Sequence, residues 1–153
     1  MFFEKIYDSW KKKQEEKYKI FIRAVKKHVK ERNSLIDVGI GRGWFEQFMK
    51  TKGLNFKKIV GVDPKAKVND ENIKIIRKEK YSTSESFDLL VCIDTLHLID
   101  QKYLDSFNAK YLLISVPKKF KNMLDYFRKY DVLEEGEAGE EEKDYYLLVK
   151  KVI

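Results

Sequence analysis

The stretch that most restricts this chain is residues 36–45, IDVGIGRGWF. Three of its seven glycines, Gly39, Gly41 and Gly43, stand at alternate positions between a short apolar run and an aromatic-rich one. Glycine lets a backbone turn sharply and approach a ligand closely, and a helix that follows such a turn offers free N–H groups. The pattern therefore reads as strand, tight loop, helix. In an open α/β sheet the ligand crevice lies beyond the carboxyl ends of the strands, beside the first such loop.

The rest of the chain supplies that sheet. Trp10, Tyr18, Phe21, Ile22, Val25 and Val29 fall at three-and-four spacing, which predicts one amphipathic helix over 9–31. SLIDVG predicts a strand and WFEQFMKTKG a helix stopped by Gly53. KKIVGVD, IKIIR, FDLLVCI and KYLLISV predict four more strands, with a short helix over 100–108 and an amphipathic segment after Pro117. DVLEE and DYYLLVKKV predict a closing hairpin, and the acidic run 134–142 is expected in the turn between them. Short Val/Ile/Leu strands alternating with helices imply an α/β domain with a mostly parallel sheet and an antiparallel last strand. The intervals on either side of the third strand are too short for full crossover helices, so the sheet should be thinly covered there. The amino-terminal helix or a second copy of the chain, as a homodimer, could supply the cover.

At 153 residues the chain is expected to form one domain, with 1–33 as an amino-terminal cap helix and 34–153 as the core. A lone cysteine, Cys92 inside FDLLVCI, leaves no disulfide framework and no thiolate metal site. No uncharged run approaches the roughly eighteen residues needed to span a bilayer, so no membrane association and a cytoplasmic location are expected. Residues 1–80 carry 22 basic against 11 acidic side chains, and residues 81–153 carry 10 against 14. The basic front half could attract RNA or an acidic protein; a solvated lysine-rich surface would look the same.

Which ligand the loop suits turns on charge. A dinucleotide fingerprint needs glycine at position 44, which is Trp44. The order here is D-x-G-x-G-x-G from Asp37. A carboxylate ahead of the first glycine repels a pyrophosphate and attracts a cation, a demand that S-adenosyl-L-methionine, with a sulfonium and an ammonium, would meet.

With this loop, IVGVDP and FDLLVCIDTLHLI, the chain resembles the class I S-adenosylmethionine-dependent methyltransferases over most of its length. The resemblance implies a Rossmann-like three-layer sandwich with a seven-stranded sheet. It implies that Asp37, Gly39, Ile40, Gly41 and Gly43 embrace the methionine part of the cofactor, that Asp63 holds the ribose hydroxyls, and that Pro64 lies against the adenine. Asp94, Thr95 and His97 would face the transferable methyl, with His97 or Asp94 as the candidate base. Tyr18, with YDSW, resembles an aromatic lid. For the adenine amino group the shortened RKEKYSTSES leaves Glu79, with Glu85 second. Each residue also has a bland reading: Asp37 as a helix cap, Asp63 as a turn residue, His97 as a packed histidine, and Trp10 and Tyr18 as core.

The resemblance implies methyl transfer and leaves the acceptor open. DTLH stands where base-methylating relatives carry an acid or amide followed by two prolines and an aromatic, and Cys92 lies within a strand, away from a nucleophile's place. A small-molecule or protein acceptor is therefore expected ahead of RNA. The alternatives are a noncatalytic partner of another methyltransferase and, with less support, a nicotinamide-dependent oxidoreductase.

Overall fold

In the computed structural model, residues 2–141 and 143–151 are described, those of 2–7 by backbone alone. Helix α1 spans Phe2–His28, starting earlier and stopping sooner than its apolar spacing predicts. Strand β1 (Ser34–Val38) leads through the glycine loop into α2 (Trp44–Thr51), and β2 (Lys58–Val62), β3 (Ile73–Ile76) and β4 (Ser86–Ile93) follow. A 3₁₀ turn at Leu96–Leu98 and the short helix α3 (Gln101–Asp105) precede β5 (Asn108–Pro117). The amphipathic segment is a 3₁₀ helix, Lys118–Lys129, before β6 (Asp131–Ala138) and β7 (Asp144–Lys150).

The seven strands form one sheet in the order β3-β2-β1-β4-β5-β7-β6. All neighbouring pairs are parallel except β7 with β5 and with β6. Neither link flanking β3 contains a helix, as the short intervals predict. Helix α1 does not make up that deficit: it packs on α2 and on β6, at the opposite edge from β3. The acidic run also departs from expectation, because its first five residues belong to β6 and the turn opens only at Gly139. As the sheet's edge strand, β6 keeps Glu135 and Glu137 exposed, and charge on an edge discourages pairing with other chains.

Successive residues of each strand feed opposite layers. Leu35, Leu89, Val91 and Leu148 join Phe21, Val25, Phe45 and Met49 from α1 and α2. Ile36, Leu90, Cys92 and Leu112 join Leu96, Leu104, Leu124 and Phe127 on the other face. This is the three-layer sandwich expected from strands buried on both sides. Helix α2 ends as its sequence predicts: Gly53 takes φ 71°, its amide donates to the Lys50 carbonyl, and the Leu54 amide donates to that of Met49.

Strand order reverses between β1 and β4, and there the loops after the two strands face each other across a crevice.

Candidate functional site

The glycine loop crosses this crevice with most of its own amides occupied. Gly39 and Ile40 donate to the Val62 carbonyl at 2.7 and 3.4 Å, Gly43 donates to Ile40 at 2.9 Å, and Gly41 donates to Asp63 Oδ2 at 2.9 Å. Three of these amides hold the loop against the end of β2 and the fourth closes the loop on itself, which disfavours a phosphate cradle and favours a ligand met by shape and by carboxylates.

Positive φ explains the glycines: 89° at Gly39, 58° at Gly41 and 72° at Gly43. A side chain on Gly39 would lie 2.2 Å from Thr95 Oγ1, so Gly39 is what lets the loop meet the residues after β4. A side chain on Gly41 would meet nothing within 4 Å, because that position opens into the crevice. Gly61, which the sequence reading passed over, lies under Ile40: its absent Cβ would be 2.5 Å from Ile40 Cδ1, so the Ile40 side chain packs inward.

Gly39 is shared by two cavities. The first, about 490 Å³, is lined by Tyr18, Ile40, Gly41, Trp44 and Asp94, with Trp10 on its wall. Trp10 is 57% exposed, which rules out its reading as a core residue. Tyr18 is buried, edge-on to Phe45 at 5.3 Å, and serves both as packing and as cavity wall.

The second cavity, about 790 Å³, is lined by Asp63, Pro64, Glu79, Thr95, His97 and Tyr103, among others. Asp63 is fixed from both sides, since Oδ2 accepts from Gly41 and Oδ1 accepts from the Lys65 amide at 2.9 Å. Glu79 reaches the cavity, whereas Glu85 pairs with Lys58 and does not line it. The β4 loop therefore divides: Asp94 belongs to the first cavity, while Thr95 and His97 belong to the second. His97 stacks on Phe120 at 4.9 Å and 16°, and its Nδ1 is buried with no hydrogen-bond partner among the described residues.

Asp94 sits in a network that sequence could not reveal. It adopts φ 56°, and a non-glycine residue held there is a strained position of the kind found at functional sites. Lys17 of α1 reaches Asp94 Oδ2 at 3.5 Å and Asp144 Oδ1 at 3.0 Å, and the Ser115 hydroxyl donates to Asp144 Oδ2 at 3.4 Å. Asp94 Oδ1 is buried and has no partner among the described residues. Burial, then Asp94, push the Asp144 carboxyl up to about 8 against the pull of Lys17. Burial alone would lower Lys17, but Asp94 and Asp144 outweigh it and raise it. A third cavity, about 480 Å³, shares Gln14 and Asp94 with the first and is walled by Lys17, Pro117 and Lys143.

Behind the loop, Asp37 is 3% exposed and Glu46, on the first turn of α2, is 1% exposed. Burial, then their contact, raises the Asp37 carboxyl well above the usual range, and burial raises Glu46. Cys92 is wholly buried and its thiol is pushed up by burial, so it offers no thiolate nucleophile. Among the described residues no group of three or more metal-ligating side chains occurs, and no helix is long and apolar enough to cross a membrane.

A family model described as a methyltransferase domain matches residues 9–136. Over 90 residues the chain is 30% identical to the ribosomal protein L11 methyltransferase of Aquifex aeolicus (strain VF5), a stretch covering 52% of this chain and 36% of that protein. Among solved structures, magnesium protoporphyrin IX methyltransferase (ChlM) from Synechocystis PCC 6803 with bound SAM aligns with TM-score 0.65 at 12% identity, covering 91% of this chain and 80% of that one. The 16S rRNA methylase RmtB aligns with TM-score 0.62 at 12% identity, covering 89% of this chain and 62% of that one. At these identities the two structural matches speak for the fold.

Proposed function

Since the chain belongs to the methyltransferase domain family, we propose that it is an S-adenosylmethionine-dependent methyltransferase whose cofactor lies across Gly39, with its adenosine in the larger cavity and its amino acid end in the smaller. The observation that carries this reading is the glycine loop itself: it opens at Gly41 and is backed by Asp37, while four of its amides are consumed internally. A sulfonium with an ammonium fits such a crevice better than a pyrophosphate does. Asp63 keeps lone pairs for the ribose hydroxyls beyond the two backbone donors it already holds. Pro64 and Glu79 line the same cavity and suit the adenine, Glu79 as acceptor for its amino group.

When bound, the cofactor supplies a methyl carbon activated by a sulfonium leaving group. The protein's main task is alignment, which is worth several kcal/mol when the reacting atoms are held at near-attack distance. Gly39 and Thr95, in contact between the two cavities, fix that line. Asp94 is the group best situated to orient an acceptor and to take its proton, because it lines both the amino acid cavity and the third one. His97, stacked on Phe120 in the larger cavity, suits a wall for the nucleoside better than a base.

The acceptor would enter through the third cavity, whose size suits a small molecule or a protein side chain. RNA is the second reading, favoured by exposed Trp10 on α1, the helix that also carries Lys11, Lys12 and Lys13. The experiment is transfer of labelled methyl from S-adenosylmethionine into fractionated cell extract. Label in a small-molecule or protein fraction supports the first reading, and label in RNA supports the second. Cofactor binding without any transfer would instead make the chain a noncatalytic module.

A further inference from the structure

The third cavity differs from the other two in that lysine supplies half of its lining. That lining divides by exposure. Lys17 and Asp144 are buried and form, with half-buried Asp94, a floor whose charges meet one another: the Lys17 ammonium reaches Asp144 Oδ1 at 3.0 Å and Asp94 Oδ2 at 3.5 Å. Lys118, Lys119 and Lys143 are exposed and form a rim. Their charge is not matched. Glu137 pairs with Lys118 at 2.8 Å and with Lys143 at 3.7 Å, so one carboxylate serves two ammoniums. Lys119 lies 5.2 Å from the centre of the Phe120 ring and pairs with no carboxylate among the described residues. Glu141, in the turn before β7, is drawn to Lys13 instead, at 3.6 Å.

The sheet itself brings the rim together. Pro117 of β5 pairs with Asp144 of antiparallel β7, so the next residues outward, Lys118 and Lys143, face each other beyond the ends of the two strands. Like charges placed opposite one another destabilise a strand pair, yet the fold keeps two lysines there and adds Lys119. An ammonium has three donors and no acceptor, and the group that accepts several such charged donors at once is an oxyanion. The third cavity shares Gln14 and Asp94 with the amino acid cavity, so a molecule bound there lies beside the cofactor. Resting on the cofactor reading above, we infer that this cavity takes a small acceptor carrying an oxyanion, a carboxylate or a phosphate, which Lys118, Lys119 and Lys143 hold at the rim while the atom to be methylated lies inward at Asp94. An RNA strand would call for cations spaced along a groove, whereas these three line one cavity of about 480 Å³.

Simple oxyanions probe the rim once S-adenosylhomocysteine fills the cofactor cavities. Phosphorus NMR of inorganic phosphate titrated with the loaded chain should show saturable binding. Lys118→Gln/Lys119→Gln/Lys143→Gln should weaken it by at least about tenfold, the effect of losing one charged hydrogen bond. Lys27→Gln/Lys57→Gln/Lys74→Gln removes the same charge from exposed lysines that line none of the three cavities, and it should stay within about twofold of wild type. Lys119→Gln alone breaks no ion pair among the described residues; it should weaken phosphate by about threefold or more, and it decides the matter if the triple rim variant fails to fold. A parallel titration with malonate tells a carboxylate from a phosphate: the tighter of the two names the group, and either supports a rim that holds an oxyanion.

Transfer of labelled methyl then tests the acceptor. When small-molecule extract is separated on an anion exchanger before the reaction, acceptor activity should elute with salt. The triple rim variant should transfer at least about tenfold less label to that fraction when acceptor is dilute, with S-adenosylhomocysteine affinity within about twofold of wild type. Acceptor activity in the unretained fraction, label only in RNA or protein, or equal loss of phosphate binding in the rim and control variants overturns the inference. If wild type binds no S-adenosylhomocysteine, the cofactor reading fails instead, and phosphate titrated against the unliganded chain still reports whether the rim holds an oxyanion.

Discussion

The Gly41 amide donates to the Asp63 carboxylate over 2.9 Å, so the most open residue of the glycine loop is tethered to the acid that ends β2. The loop's shape and the ribose-binding group are thus one unit. Asp63→Ala should weaken S-adenosylhomocysteine binding by about 1–3 kcal/mol and also cost about 1 kcal/mol of stability for each backbone donor it leaves unmet. Calorimetry and thermal unfolding measure the two effects separately. Wild-type affinity in this variant would remove Asp63 from the site.

Gly41 and Gly39 should respond differently to substitution. Gly41→Val places a branched side chain in open space at φ 58°, costing about 1–2 kcal/mol of backbone strain while filling the crevice. It should fold and lose cofactor binding. Gly39→Ala drives a methyl into Thr95, so it should lower the unfolding temperature as well as the affinity. Circular dichroism alongside a binding titration distinguishes them, and a Gly41→Val protein that binds normally would contradict the crevice.

The Lys17–Asp144 pair sets a pH dependence whose sign can be worked out. Burial, then Asp94, push the Asp144 carboxyl up to about 8 in the folded chain from an ordinary carboxylate value of 3.8. Between those values the native state holds a proton that the unfolded state has lost, so its contribution to stability is full in acid and drains away as pH rises through 8. Asp144→Asn cannot lose that proton. Wild type should therefore lose a few degrees more in unfolding temperature than Asp144→Asn when pH is raised from about 5.5 to about 8.5. Parallel losses would mean that Asp144 stays ionised in the fold.

Asp94 and His97 can be separated once labelled methyl finds its acceptor. Asp94→Asn should reduce turnover by about 10²–10⁴-fold if the acceptor must shed a proton, with S-adenosylhomocysteine affinity little changed. His97→Ala should instead weaken cofactor binding and leave turnover at saturation near wild type. The reverse pattern would return the base to His97.

The β1–loop–α2 unit and the strands around it were legible because local patterns determine them: apolar runs of strand length, glycines where φ is positive, and a Gly53 stop. The shortened links beside β3 could be read from chain length alone. Contacts distant in sequence stayed hidden. Lys17 looks like one more lysine on a basic helix, and only the fold brings it to Asp144, 127 residues away. Glu46 sits amid aromatic residues on α2 as any first-turn acid might, and nothing local says that it turns inward to Asp37. The acidic run misled for a related reason: charge suggests a turn, but an edge strand can carry charge on its open side, and β7 supplies the pairing that holds β6 in the sheet.

The most direct test of the central claim is the electron density of crystals grown with saturating S-adenosylhomocysteine. The expected result is one molecule per chain bent over Gly39, its ribose hydroxyls on Asp63, its amino group toward Asp37 and its sulfur facing Asp94. Density for the ligand elsewhere, or both cavities empty of it at saturation, would contradict the account.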